Sequence, residues 1–123
     1  MNNTLLVLAV IFVHWVADFV FQTDKQAKGK SKNWNDLLSH TATYSTIWFL
    51  IANTLIILGY LSPLFYLFAP ITLICHTITD YFTSRLNSKL WAKGDVHNFF
   101  VSVGFDQVLH YVQLFLTYYL LTK

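Results

Sequence analysis

Four long apolar stretches, separated by short polar ones, run along this chain at about 5–21, 37–58, 64–84 and 98–121. At 1.5 Å of rise per residue, each is long enough to cross about 30 Å of hydrocarbon as a helix. The apolar positions do not alternate with a period of two, and the runs are too long for barrel strands. The pattern therefore predicts an all-α integral membrane protein, a bundle of four transmembrane helices in one domain over 1–123. Between the second and third stretches, Gly59-Tyr60-Leu61-Ser62-Pro63 has room only for a tight turn, which makes those helices an antiparallel hairpin. Pro70 marks a kink or the true start of the third helix. Leu86, Leu90 and Trp91, at helical spacing among Arg85, Lys89 and Lys93, predict a short interfacial helix, and Asp95 is placed to cap the fourth span.

Composition agrees with the pattern. Of 123 residues, 55% are hydrophobic and only 11% charged, against about 25% charged in soluble domains. That balance excludes a soluble enzyme, a disulfide scaffold and a disordered tail. Cys75 is the one cysteine, so no internal disulfide exists. The first residues lack the basic region of a cleaved signal, and the first apolar stretch is read as retained.

The net charge of +2 says less than its placement. Lys25, Lys28, Lys30 and Lys32 fall in the first loop, Arg85, Lys89 and Lys93 in the third, and only Lys123 on the other side. The excess of basic residues places both loops in the cytoplasm and both termini on the non-cytoplasmic side. The same charges would attract the anionic head groups of membrane lipids or a phosphorylated substrate. Nothing further points to nucleic acid.

Ionisable groups inside the apolar stretches are the informative exceptions, since each costs about 2.5–3.5 kcal/mol at the centre of a span. His14 and Asp18 share the first stretch, His76 and Asp80 the third, and Asp106 and His110 the fourth, each couple four residues apart on one helix face. Gln22 extends the first stripe, Gln107 adjoins Asp106, and His40 stands near the start of the second stretch. Measured from the cytoplasmic ends, His14, His76 and Asp106 lie about 10–12 Å deep, Asp18, Asp80 and His40 about 5–6 Å, and His110 about 18 Å. Two ionisable layers in the cytoplasmic half predict a site that opens to the cytoplasm.

Imidazole and carboxylate together suit Zn, Mn or Fe. The leading expectation is a metal-dependent hydrolase acting on a lipid-linked or amphipathic substrate. Its ligands would be His14, His76 and Asp106, completed by Asp80 or His110, with Asp18 as general base and Gln22 contacting substrate or water. His40, Gln107 and Arg85 would serve substrate or network. Two other readings stay open: a proton-coupled transporter or ion-conducting protein, expected as a homodimer, and a non-enzymatic subunit of a membrane complex with His/Asp pairs as interhelical struts. The chain has no glutamate, which excludes the Glu-dependent zinc-peptidase motif. No serine elbow or glycine-rich phosphate loop is present.

Taken together, His14-Trp-Val-Ala-Asp18-Phe19-Val-Phe-Gln22-Thr23, Leu37-Leu38-Ser-His40, His76-Thr-Ile-Thr-Asp80 and Asp106-Gln107-Val-Leu-His110 resemble the domain-of-unknown-function 3307 family. These are small polytopic membrane proteins of bacteria and their phages, so the resemblance implies the bacterial inner membrane. It covers almost the whole chain and implies no activity. It also implies a basic group soon after the third-span aspartate, a place that Arg85 or Lys89 would fill. A looser likeness to small membrane proteins described as metal-dependent hydrolases, with His and Asp on helices facing a common interior, implies a metal site.

Overall fold

The computed structural model describes residues 2–123, and among them every regular element is helical. α1 (Asn3–Trp15) runs on into a π-helical turn at Val16–Val20 and stops at Phe21. A short α2 (Asp24–Gly29) follows, then α3 (Trp34–Ile57), a 3-10 turn (Pro63–Leu67), α4 (Phe68–Ala92) and α5 (Val96–Leu121).

The helix ends follow local chemistry. At the end of α3, Gly59 takes φ +79° while Tyr60 N–H bonds Leu55 O and Gly59 N–H bonds Ile56 O, the paired 6→1 and 5→2 bonds of a Schellman cap. Gly94 repeats this after α4 with φ +72°. Asp95 then caps α5, as expected, by accepting from Asn98 N–H. Pro70 sits in the first turn of α4, where no intrahelical N–H is required of it, so it marks a helix start rather than a kink.

Two expectations need correction. Three stretches are long and apolar enough to cross a membrane, Asn3–Val20, Pro63–Ala92 and Val96–Leu121, not four. The exception, α3, has the length but too many polar residues, among them Asp36, His40, Asn53 and a run of Ser and Thr. Several of those hydroxyls are absorbed locally: Thr43, Thr46 and Thr54 each bond the carbonyl four residues back. Second, Leu86, Leu90 and Trp91 form no separate interfacial helix. They continue α4 unbroken to Ala92, because no cap or breaker interrupts the helix before Gly94.

Polarity is inverted relative to a soluble bundle. Fourteen polar or charged residues are buried against ten hydrophobic ones, while Leu8, Phe12, Ile74, Phe82, Phe105 and Leu116 point outward. A bundle whose outer solvent is lipid has this distribution, since its polar groups must find partners inside. Although Leu37 is buried beside the strap α2, the main apolar cluster lies at the end away from it. There Trp48, Phe65, Phe68 and Leu114 pack together. Beside them a cavity of about 570 Å³ opens between α1, α3 and α5, lined by Leu6, Val10, Val13, Leu55, Phe115 and Tyr118 among others.

Candidate metal centre

The polar interior gathers at one level. α1 reaches it through the π turn, whose extra residue per turn turns Asp18 inward and then ends the helix. α3 brings His40, α4 brings His76 and Asp80, and α5 brings Asp106 and His110; all six side chains are buried. The two depth layers expected from sequence collapse into this one cluster, because α4 and α5 continue well past the level at which α1 ends before the α2 strap. His110, the outlier in depth, has its Nε2 3.1 Å from Asp80 Oδ1.

Two groups of ligand atoms are close enough to share a cation: Asp18, His40, His76 and Asp80, and Asp18, Asp106 and His110. The first has a telling geometry. His40 Nε2 is 3.0 Å from Asp18 Oδ1, 3.2 Å from Asp80 Oδ2 and 3.3 Å from His76 Nε2. His76 Nε2 is 3.4 Å from Asp18 Oδ1 and 3.5 Å from Asp80 Oδ2. A tetrahedron with bonds of about 2.0–2.1 Å to a central zinc has edges of about 3.3–3.4 Å. Five of the six edges fall close to that length. The sixth, between the two carboxylate oxygens, is no more than 4.8 Å. Moreover, Asp18 Oδ1 accepts no hydrogen bond although imidazole nitrogens flank it. Its contacts with them are short but not aligned as N–H donation requires.

Rings and hydrogen bonds hold this group in place. His76 is stacked between Tyr44, at 3.8 Å between centroids, and His110, at 4.1 Å. Asp80 is fixed at both oxygens, Oδ1 by His110 and Oδ2 by Lys30 Nζ at 3.2 Å. Thr83 Oγ1 donates to Asp106 Oδ1 at 2.6 Å, and Gln107 Nε2 donates to Oδ2 at 3.1 Å. His76 Nδ1 has no partner.

The remaining candidates fall elsewhere. His14 lies outside both groups with its ring nitrogens engaged: Nδ1 takes the Tyr44 hydroxyl proton at 2.7 Å and Nε2 donates to Gln107 Oε1 at 2.6 Å. Gln22 comes after the helix has ended, with its Oε1 buried and unpartnered. Arg85 is held by its own helix, bonding Tyr81 O at 2.9 Å and lying 3.6 Å over the Tyr81 ring. The basic group that reaches the third-span aspartate is Lys30. Burial alone would lower the Lys30 ammonium, but the carboxylates of Asp80 and Asp18 outweigh it and hold its pKa above the usual value.

Sequence reasoning missed Lys30 and Tyr44. Lys30 is one of four similar loop lysines, and nothing local distinguishes it. Tyr44 had a signal, since it stands four residues after His40 and so on the same helix face.

A family model described as a protein of unknown function, DUF3307, matches residues 5–123. No curated protein and no solved structure matches the chain.

Proposed function

This chain belongs to the domain-of-unknown-function 3307 family, whose description assigns no activity, and from the site alone we propose that it is a membrane-embedded, metal-dependent hydrolase. The observation that carries this reading is the near-tetrahedral set of Asp18 Oδ1, His40 Nε2, His76 Nε2 and Asp80 Oδ2. Charge supports it. Asp18, Asp80 and Asp106 are buried together, and Lys30 offsets only one of their three charges. One divalent cation with neutral imidazoles brings the sum to zero, which a low-dielectric interior favours strongly.

A bound Zn, Mn or Fe ion would supply Lewis acidity and bring a water molecule into reactive range near neutral pH. A catalytic ion keeps three protein ligands and an open position. His40, His76 and Asp18 are the three we assign. Asp18, expected as the base, is better suited to ligation because Oδ1 has no competing hydrogen bond. Asp80, whose two oxygens are already engaged by Lys30 and His110, is assigned to the open position rather than to the ion, where its carboxylate would serve as the base for a water molecule. His110 and Asp106 orient Asp80 from behind.

The substrate is lipid-linked or amphipathic. The cavity between α1, α3 and α5 supports this, since an apolar recess of that volume suits a hydrocarbon chain. We place α3 across the bilayer beside the other spans, because its 24 residues extend about 36 Å and its polar face is turned to the cluster. With seven of the eight basic residues at the strap end, that end is cytoplasmic and both termini lie on the other side.

A proton pathway is the second reading. It is favoured by a line of polar contacts that runs by hydrogen bond from Asp80 to His110, by a 3.2 Å ion-pair contact to Asp106, and by hydrogen bonds on through Gln107 to His14. That line ends at Tyr44 against the apolar packing, and beyond it only Gln113, Thr72 and Thr117 continue outward. The test is elemental analysis of detergent-purified wild type beside His76→Ala. Near-stoichiometric metal lost in the variant supports the hydrolase. An absence of metal in wild type after reloading overturns it and leaves proton transfer or interhelical struts, which proton-flux measurements in liposomes separate.

A further inference from the structure

Lys30 is the most exposed charged group of the buried cluster. Its side chain keeps 20% of its surface exposed, against 1% for the Asp80 carboxylate it touches. Its position is imposed from three directions. The Thr23–Gln26 capping box closes α2, Gln26 Nε2 bonds Ser39 Oγ on α3, and Gly29 packs so closely on Asp36 that a side chain there would overlap the carboxylate. Ser31 Oγ then takes the Ser88 hydroxyl of α4 at 2.8 Å. A lysine seated this firmly is preorganised rather than trailing in solvent.

An ammonium has three N–H donors. In the structure one goes to Asp80 Oδ2, and among the described residues no other acceptor takes the remaining two. Those two donors sit beside the Asp80 corner of the tetrahedral set, where the open position of a catalytic ion would lie. Lys32, Lys89 and Lys93, in the same two loop regions of the sequence, are exposed, and none lies within 4 Å of a carboxylate among the described residues, which adds positive charge to that end of the chain. A neutral ester or amide has no use for such a field. A phosphoryl group does: one oxygen could face the cation while a second takes the lysine protons.

We propose that Lys30 and the metal together form a phosphoryl-binding site, which makes the substrate of this protein a phosphate ester. The proposal rests on the metal reading above. Lys30 holds the group by its non-bridging oxygens and does not enter the bond-breaking step. Lys30 sees only the oxygens, which a lipid head group and a soluble ester share.

The experiment is calorimetric titration of inorganic phosphate into purified protein that has been loaded with zinc and freed of excess metal. Wild type, Lys30→Met and Lys30→Arg are compared, with zinc content measured in each sample. The expected result is phosphate binding by wild type, weaker by about tenfold or more in Lys30→Met, the scale of a lost charge-assisted hydrogen bond. Lys30→Arg should recover most of it, and zinc content should not change among the three. Equal affinity in Lys30→Met, or no phosphate binding by zinc-loaded wild type, overturns the proposal while leaving the metal centre intact. A wild type that retains no zinc overturns the metal reading and this one with it. Repeating the titration with nanodiscs containing phosphatidic acid against phosphatidylcholine alone assigns the source: preference for phosphatidic acid identifies a lipid head group, and phosphate binding without that preference a soluble ester.

Discussion

The Nε2 atoms of His40 and His76 face each other at 3.3 Å, from adjacent antiparallel helices and 36 residues apart in the chain. Two neutral imidazoles in this position must share one proton, whereas two imidazoles on one cation need none between them. Asp18 and Asp80 close the other sides of the same small space.

Cation binding should therefore show in stability as well as in composition. A ligand at 100 times its dissociation constant stabilises the folded state by about 2.7 kcal/mol. Thermal melts of wild type should rise by several degrees when chelator is exchanged for zinc, and those of His40→Ala or His76→Ala should not move. An equal rise in the variants would place the ion elsewhere.

Tyr44 bears on two histidines at once, donating to His14 Nδ1 and stacking on His76. Tyr44→Phe keeps the stack and leaves a buried acceptor unpaired, at a cost of about 1–3 kcal/mol. Tyr44→Ala also opens a void, for about 3–5 kcal/mol. Denaturation should rank them in that order, and Tyr44→Phe should keep its full metal content.

Gly29 is needed for close approach, since a Cβ there would run into the Asp36 side chain. Gly29→Ala should push α2 away from α3 and raise proteolysis in the 21–33 strap. The metal content should stay unchanged, because no ligand lies in the strap. Unaltered cleavage would show that α2 is not held by this contact.

Asp95 gives a pH dependence of known sign. Hydrogen bonds from the Asn98 side chain and then from its backbone N–H hold the Asp95 carboxyl below the usual carboxylate range. Its capping contribution is thus fully present above the unfolded value of about 3.9 and is lost as pH falls through the lower folded value. Melts from pH 5 to pH 3 should show an acid loss in wild type that is smaller in Asp95→Asn, whose amide keeps a neutral cap.

Much was legible in the linear chain because it is local. The three His/Asp couples at four-residue spacing mark one face of each helix whatever the helices pack against. Gly59, Gly94 and Asp95 end or begin helices through backbone rules that act within a few residues. Low charge and long apolar runs already require a helical protein with lipid-compatible surfaces.

Tertiary structure decided which members of those couples meet. His14 and His76 look alike in sequence, yet both nitrogens of His14 are engaged, Nδ1 accepting from Tyr44 and Nε2 donating to Gln107, while His76 keeps its Nε2 turned to the cluster. His40 has Asp36 four residues before it, yet that carboxylate turns to Asn33, and the two carboxylates His40 meets, Asp18 and Asp80, come from α1 and α4. Lys30 reaches Asp80 across fifty residues because α2 folds back over the bundle end. Depth along each helix could not foresee the single cluster, since α4 and α5 overrun α1 and the π turn shifts Asp18. Helix propensity and polarity act over one or two turns, whereas ligand geometry is set by packing between elements that the chain order leaves unspecified.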